Sequence, residues 1–151
     1  MGRGGSEEGG LPIASEGAPG DYGNMGNIPR VLCVDDSEDI GELVGRAIEK
    51  RHDLAFAGYL PDASRLREEA ADRRADVVIL DLSLPGTDVF EAIRMLRTEP
   101  ARSRVLVYSG YDDPGIVRTA MESGASAFVC KTAAIDDLLD MASKVASDVL
   151  G

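Results

Sequence analysis

Five side chains that could do chemistry each follow a short apolar run in the sequence. Asp35 and Asp36 come directly after VLCV, Asp81 follows VVIL, Ser109 follows VLVY and Lys131 follows FVC. Short apolar runs bounded by polar residues are typical of buried β-strands. Because the carboxyl ends of parallel strands lie at one edge of a sheet, the pattern predicts that three carboxylates, a hydroxyl and an ammonium group converge there.

Three carboxylates in one crevice repel one another, and a divalent cation would relieve that repulsion. Mg²⁺ prefers oxygen ligands, keeps several waters and accepts carboxylates together with a substrate phosphate. An ammonium group and a hydroxyl on the other side of the pocket would suit the oxygens of a phosphoryl group, and a carboxylate could serve as the nucleophile. The residues therefore predict Mg²⁺-assisted phosphoryl transfer to an aspartate.

Each residue also has an ordinary explanation when it is taken alone. Asp35 or Asp36 could be a helix N-cap, and Asp81 could begin a turn. Ser109 could be a strand-end hydroxyl, and Lys131 could be a solvated surface lysine. Together, however, these residues stand at the ends of four predicted strands. Because such an arrangement is improbable by chance, it favours a functional site.

The elements that must position these residues alternate between strand and helix patterns. Strands are predicted at residues 30–34, 54–60, 77–80, 105–108 and 127–130. Apolar residues at helical spacing predict helices at 40–48 (capped by Asp36 or Ser37), 61–74, 88–97, 114–123 and 135–149. Nearly continuous apolar strands between amphipathic helices indicate the α/β class, with a parallel sheet covered on both faces. Five βα units are too few for an eight-stranded barrel, so an open, doubly wound (βα)5 sheet is predicted.

The composition excludes several classes of protein. The chain has 151 residues, a formal net charge of −11 and no apolar run long enough for a membrane helix. An acidic chain without a cluster of Lys and Arg is not expected to bind nucleic acid or an anionic membrane directly. No secretory signal is recognisable, which predicts a cytoplasmic protein. Cys33 and Cys130 lie in apolar runs, which predicts two buried free thiols, with a disulfide as the lesser alternative. Residues 1–29 are rich in Gly, Pro, Ser and Glu. This composition predicts a disordered leader or linker.

The rest of the chain resembles the receiver domain of bacterial two-component response regulators, a phosphoacceptor domain with the fold of the chemotaxis regulators. The resemblance covers about residues 30–150 and rests on the motifs VDDSE, VVILDLSLPG, VYSGYDD and GASAFVCK, so we assign residues 30–151 to this domain. It implies a flavodoxin-like three-layer sandwich with the strand order 2-1-3-4-5. It also implies a signalling protein with only weak self-phosphorylation and dephosphorylation activity, rather than an enzyme.

The resemblance implies a role for each acidic residue. Asp81 matches the phosphoacceptor. Asp36 matches the direct Mg²⁺ ligand, and Asp35 matches its acidic neighbour, which usually acts through water. Ser83 stands at the position whose backbone carbonyl also ligates the metal. Mg²⁺ is the expected cofactor, and Mn²⁺ or Ca²⁺ could substitute for it.

The remaining matched residues would contact the phosphoryl group and transmit its presence. Ser109 matches the hydroxyl residue that shifts toward the phosphoryl group, and Lys131 matches the lysine that pairs with it. Phe128 matches an aromatic switch residue, although core packing explains this residue equally well. The resemblance implies a sensor histidine kinase or a phosphotransfer protein as the donor. It also implies an output domain, a downstream partner or a homodimer at the face formed by the fourth helix, the fifth strand and the fifth helix.

Two positions depart from the usual pattern of the family. Thr132 stands where most members have a proline after the lysine, joined by a cis bond. Because a cis bond before any other residue costs about 2.5–4 kcal/mol, a trans Lys131–Thr132 bond is predicted. Val89 stands where many members have glycine, and a β-branched residue would be strained at positive φ. A rearranged turn into the third helix is therefore expected.

Three other functions remain open on the sequence. A phosphatase of the haloacid-dehalogenase type also uses an aspartate and Mg²⁺, but it requires a second aspartate where this chain has Ser37. A flavodoxin-like nucleotide binder requires Gly, Ser or Thr after the first strand, where Asp35 and Asp36 would repel a phosphate. A pseudo-receiver that binds partners without phosphorylation would have the same fold. The sequence ends at Gly151, so we expect either a stand-alone regulator or one domain of a longer protein.

Overall fold

A parallel five-stranded sheet lies at the centre of the computed structural model, which describes residues 28–148. Its strands are β1 (Arg30–Val34), β2 (Ala55–Leu60), β3 (Val77–Leu80), β4 (Arg104–Ser109) and β5 (Ala127–Cys130). Its helices are α1 (Glu38–Glu49), α2 (Leu66–Asp72), α3 (Val89–Leu96), α4 (Pro114–Glu122) and α5 (Ile135–Asp148). The strand order is β2-β1-β3-β4-β5, so the predicted α/β class and the order 2-1-3-4-5 are confirmed. Nearly all of the predicted leader, residues 1–27, lies outside the described residues.

The sheet separates two apolar cores. Leu32 and Val34 of β1 face the core on the side of α2, α3 and α4, whereas Val31 and Cys33 face the core on the side of α1 and α5. All four side chains are fully buried, and burial of each valine or leucine contributes about 1.5–3 kcal/mol. Strands covered on both faces have few ways to shift, so the positions of their carboxyl ends are fixed. In residues 28–148, no helix combines the length and the apolar character needed to cross a bilayer.

Strand β5 is less covered than the central strands. It lies at the edge of the sheet, and all four of its residues are half-buried. Cys33 and Cys130 are both free thiols, but only Cys33 is buried. The prediction of two buried thiols is therefore right for Cys33 and wrong for Cys130, because an edge strand has a neighbour on one side only.

Helix α2 begins at Leu66, several residues after the predicted start at residue 61 or 62. The Asp62 carboxylate accepts hydrogen bonds from the backbone N–H of Ser64 at 2.9 Å and from its hydroxyl at 2.7 Å. These bonds close a turn that competes with helix formation. The sequence prediction was wrong here because the same residue types cap helices and close turns.

The turn into α3 adopts an unstrained conformation. Val89 is the first residue of the helix and is buried, and Asp88 caps the helix by accepting a hydrogen bond from the N–H of Glu91 at 3.1 Å. The positive φ of this turn, 68°, falls on Gly86. The strain expected at Val89 is therefore avoided by placing the left-handed residue three positions earlier.

Arg51 links the segment after α1 to α5. Its guanidinium nitrogens lie 2.9 Å from Asp53 Oδ1 and 3.0 Å from Asp140 Oδ1. The hydrogen bond from Arg51 is the main reason that the pKa of Asp53 is lowered from 3.8 to about 2. Because the folded state holds the ionised carboxylate more strongly than the unfolded state does, this contact stabilises the fold above the ordinary pKa of Asp53. The stabilisation is lost as the pH falls toward the lowered value.

We predict that Asp53→Asn removes this pH-dependent contribution to stability. Near neutral pH, the variant should be less stable by no more than about 1 kcal/mol, since the Asp53 side chain is 45% exposed and water screens the pair. Urea unfolding at several pH values should show the difference shrinking between about pH 4 and about pH 2, where the folded wild type protonates Asp53. A difference that stays constant through this range would contradict the assignment.

Candidate functional site

The carboxyl ends of four strands bring the predicted site residues together. Asp35 follows β1, Asp81 follows β3, Ser109 ends β4 and Lys131 follows β5. The hydrogen-bond ladder continues past the strands, because the N–H of Asp81 donates to the carbonyl of Val34 at 3.0 Å and that of Lys131 donates to the carbonyl of Ser109 at 2.8 Å. The side chains are therefore positioned by the sheet itself.

Asp35, Asp36 and Asp81 form one acidic cluster. Each offers a carboxylate oxygen, and these three oxygens all lie within 4.8 Å of one another. Asp35 and Asp81 are only 2% exposed, whereas Asp36 is exposed and forms the side of the cluster open to solvent. Burial raises the pKa of Asp81, and the neighbouring charge of Asp35 adds to this effect. The folded protein therefore disfavours the ionised form of Asp81, mainly because this side chain is buried.

Lys131 supplies the positive charge next to this acidic cluster. Its Nζ lies 2.8 Å from Asp35 Oδ2 and 3.6 Å from Asp81 Oδ2, and it stands 5.6 Å from the centre of the Tyr108 ring. Burial opposes its charge, but the two carboxylates outweigh burial and raise the pKa of Lys131, so the side chain stays an ammonium. Three carboxylates and one ammonium, when all are ionised, leave a net charge of −2, which a divalent cation would cancel.

The two buried carboxylates are held in the same way. The N–H of Ser37 donates to Asp35 Oδ1 at 2.9 Å, and the N–H of Ser83 donates to Asp81 Oδ1 at 3.0 Å. In each aspartate the other oxygen, Oδ2, is the one nearer to Lys131. One oxygen of each carboxylate is thus fixed by the backbone while the other faces the pocket. These are the oxygen donors that a hard cation such as Mg²⁺ prefers.

Ser109 and Phe128 lie at the strand positions that the sequence predicted. Ser109 makes a polar contact, whereas Phe128 packs against apolar residues. Ser109 is fully buried, and its Oγ accepts a hydrogen bond from the N–H of Tyr111 at 3.0 Å. Within residues 28–148 its hydroxyl donates to no other group, so its proton can be offered to a ligand. Phe128 is half-buried and packs against the apolar core on the α3 and α4 side. The Lys131–Thr132 bond that follows β5 is trans, as predicted.

Two tyrosines near the pocket were missed by the sequence prediction. The hydroxyl of Tyr59, on β2, donates to the backbone carbonyl of Asp35 at 2.5 Å. The ring of Tyr108, only 4% exposed, lies beside the Lys131 ammonium. In the sequence, Tyr108 is the last residue of the predicted strand 105–108, and Tyr59 lies within the predicted strand 54–60. No spacing rule indicated that either ring would reach the pocket.

The part of the chain that carries these residues matches a known protein family. The family model for the response regulator receiver domain matches residues 31–143. The chain is 30% identical over 118 residues to the transcriptional regulatory protein LiaR of Bacillus subtilis (strain 168), a match that covers 76% of this chain and 56% of LiaR. It is 34% identical over 127 residues to the protein-glutamate methylesterase/protein-glutamine glutaminase 3 of Burkholderia lata, covering 80% of this chain and 34% of that protein. The chain therefore spans between about a third and just over half of these curated relatives.

Solved structures show the same similarity. The signal receiver domain of NarL from Mycobacterium tuberculosis superposes with a TM-score of 0.73 at 28% identity, covering 79% of this chain and 96% of that one. A two-component response regulator of the LuxR family from Aurantimonas sp. SI85-9A1 superposes with a TM-score of 0.72, also at 28% identity, covering 79% of this chain and 85% of that one. The family model, which matches residues 31–143, includes Asp35, Asp36, Asp81, Ser109 and Lys131.

We predict that Asp81→Asn makes the metal-free protein more stable at neutral pH. An acid whose pKa is raised in the folded state is ionised there at a cost, so an uncharged side chain of the same shape should raise the free energy of unfolding by about 0.5–2 kcal/mol. The gain should disappear in urea unfolding experiments below the ordinary aspartate pKa of 3.8, where the wild type protonates Asp81 too.

Asp62→Asn is the matched control for this prediction. The pKa of Asp62 is lowered by hydrogen bonds from Ser64, so neutralising this carboxylate should give no gain in stability. An Asp81→Asn variant that is no more stable than the wild type in metal-free buffer at neutral pH would show that the cluster is already compensated.

Proposed function

The chain belongs to the response regulator receiver domain family, as its motifs indicated, and from that premise we propose that residues 30–151 form a phosphoacceptor switch of a two-component phosphorelay. A sensor histidine kinase or a phosphotransfer protein would donate a phosphoryl group to Asp81, and the protein would act in the cytoplasm. The observation that supports this most is the acidic cluster, three carboxylate oxygens within 4.8 Å of one another, with the Lys131 ammonium beside two of them.

The acidic cluster fits a hard divalent cation, for which we propose Mg²⁺. Asp36 would bind the ion directly and Asp35 through water, while Asp81 and the backbone carbonyl of Ser83 would complete the ligands from the protein. When bound, the ion would place positive charge next to the oxygens of the transferred phosphoryl group. Mn²⁺ or Ca²⁺ could substitute, because both also bind carboxylate and carbonyl oxygens.

The contacts of Asp81 support its role as the nucleophile. Because the N–H of Ser83 holds Oδ1, the oxygen free to attack phosphorus is Oδ2. A bond forms between this oxygen and phosphorus while the bond between phosphorus and the donor's leaving atom breaks, and the leaving group keeps the bonding electrons. Lys131, which now pairs with Asp35 at 2.8 Å, would pair with a phosphoryl oxygen. The hydroxyl of Ser109 would donate a hydrogen bond to a second phosphoryl oxygen.

Loose packing on one side of the domain supports a switch there. Of the residues of α4, only Ala120 is buried, and every residue of β5 is half-buried. A modest change in free energy at Ser109 could therefore shift the packing of α4 against β5, with Phe128 moving inward. The face formed by α4, β5 and α5 would then bind or release an output domain, a downstream partner or a second copy of the chain.

The geometry gives less support to the other functions. Ser37 is the N-cap of α1, with its Oγ accepting a hydrogen bond from the N–H of Ile40 at 3.4 Å, so it offers no carboxylate for the acid–base step of a haloacid-dehalogenase-type phosphatase. In the proposed function, each chain accepts one phosphoryl group on Asp81 and keeps it until it is hydrolysed. The chain would therefore act as a stoichiometric acceptor rather than as an enzyme. The pseudo-receiver alternative is decided by the experiment below.

We predict that the wild-type chain, incubated with acetyl phosphate and millimolar Mg²⁺, gains the mass of one phosphoryl group. Asp81→Asn should gain none, because it lacks the nucleophile, and chelation of Mg²⁺ should prevent labelling of the wild type. Intact-protein mass spectrometry measures both, and fluorine NMR of the beryllofluoride complex provides a second readout that needs no leaving group.

The matched control is Asp62→Asn, which neutralises an exposed carboxylate in the loop after β2 and should be labelled like the wild type. Labelling that persists in Asp81→Asn would place the acceptor elsewhere. A wild type that binds Mg²⁺ but takes up neither phosphoryl group nor beryllofluoride would be a pseudo-receiver.

A further inference from the structure

Strand β2 contains one extra residue in its pairing with β1. Successive residues of β1 lie opposite Phe56 and Gly58, so Ala57 has no partner and forms a β-bulge. Side chains of a regular strand alternate between the two faces of a sheet. The bulge reverses this alternation, with the result that Phe56 and Tyr59 both pack on the α1 side.

The residues of the bulge are suited to its conformation. Gly58 has a φ of 124°, which a residue with a side chain rarely adopts, and a Cβ there would lie 2.0 Å from Arg73 Nη1. The same nitrogen of Arg73 donates to the carbonyl of Ala57 at 2.9 Å. The carbonyl that the bulge removes from the ladder is thus satisfied, and the bulge is a built feature of the fold rather than a defect.

Helix α1 leaves room for the two rings that the bulge turns toward it. A Cβ at Gly41 would lie 2.5 Å from Cδ1 of Tyr59, and one at Gly45 would lie 2.8 Å from Cε2 of Phe56. Glycine inside a helix costs about 0.5–1 kcal/mol relative to alanine. At Gly41 this cost lets the Tyr59 ring lie directly against the helix backbone.

The ring position brings the Tyr59 hydroxyl to the acidic cluster. It donates to the carbonyl of Asp35 at 2.5 Å, and the N–H of Asp35 donates to the carbonyl of Leu60 at 3.2 Å. Strand β2 therefore holds both polar groups of the Asp35 backbone. Since the peptide unit is planar, a fixed Asp35 carbonyl also fixes the backbone nitrogen of Asp36.

Asp36 depends on this backbone support more than its neighbours do. Its side chain is exposed, and within residues 28–148 its carboxylate takes part in no hydrogen bond or ion pair. Asp35 and Asp81, by contrast, are held by backbone N–H groups and by Lys131. The peptide before Asp36, which Tyr59 holds, and the capped helix after it fix the direction of the Cα–Cβ bond from which this carboxylate extends.

We propose that Tyr59 is a positioning residue for the metal site, whose hydroxyl fixes the Asp35–Asp36 peptide so that the Asp36 carboxylate reaches Asp35 and Asp81 before the ion binds. The inference rests on the proposed Mg²⁺ site. Ligands that are already in place lose less conformational freedom on binding, and groups that orient metal ligands typically change metal affinity 10–100-fold. Tyr59 would act without touching the metal or the phosphoryl group.

The test is Tyr59→Phe in the full chain, which removes one oxygen atom and keeps the ring. The Mg²⁺ dissociation constant, measured by NMR titration of the labelled protein, should rise about tenfold. In the metal-free protein, the ¹³C resonance of the Asp35 carbonyl should move upfield, because that carbonyl loses its hydrogen bond. Gly41→Ala, which keeps the hydroxyl but displaces the ring, should weaken Mg²⁺ binding in the same direction.

The matched control is Phe56→Leu, which loosens the same packing between α1 and β2 without touching the Asp35 carbonyl. It should lower the Tm and leave the Mg²⁺ dissociation constant unchanged. Equal Mg²⁺ affinity in the wild type and Tyr59→Phe would overturn the positioning role alone, as would an equal loss of affinity in Phe56→Leu. A wild type that binds no Mg²⁺ would overturn the proposed function and, with it, this role of Tyr59.

Discussion

Repulsion among three carboxylates at the end of a buried sheet is the constraint on which the rest of this molecule depends. Asp35 and Asp81 lie almost completely away from water, so solvent screens these two charges poorly, and the exposed Asp36 stands beside them. Lys131 offsets only part of the excess. Burial raises the pKa of Asp81, the charge of Asp35 adds to this effect, and a bound cation would oppose both. A fold that keeps this cluster gives up stability there, which is the cost expected of the proposed metal site.

The cluster keeps its geometry because the sheet beneath it is covered on both sides. β1 and β3 are built almost entirely of buried residues, and the ladder between them continues to Asp81. The opposite holds at β5 and α4, where few side chains are buried. One part of the domain therefore holds charged groups in fixed positions, while the other has fewer buried contacts, as the proposed switch requires. This division suits a molecule in which a change of charge at one edge alters a surface nearby.

Much of this arrangement could be predicted from the sequence, because its signals are local. Fully buried parallel strands must be apolar along their whole length, so the runs that end at Asp35, Asp81 and Lys131 marked both the strands and the site. The start of α2 was missed, because an aspartate closes turns as readily as it caps helices. Tyr59 could not be predicted, since its position depends on a bulge that reverses the faces of a strand. That reversal is accompanied by a positive φ at Gly58 and by a hydrogen bond from Arg73, which lies outside the strand.

The most direct test is a crystal structure of the wild-type chain grown with millimolar Mn²⁺, whose anomalous scattering identifies the ion. We expect one anomalous peak within bonding distance of the Asp36 and Asp81 carboxylates and of the backbone carbonyl of Ser83, with Lys131 on the far side of the pocket. Well-ordered crystals with no peak at the three aspartates, or with Asp81 too far from Asp35 and Asp36 to share an ion, would contradict the claim that these carboxylates are held together to bind a metal.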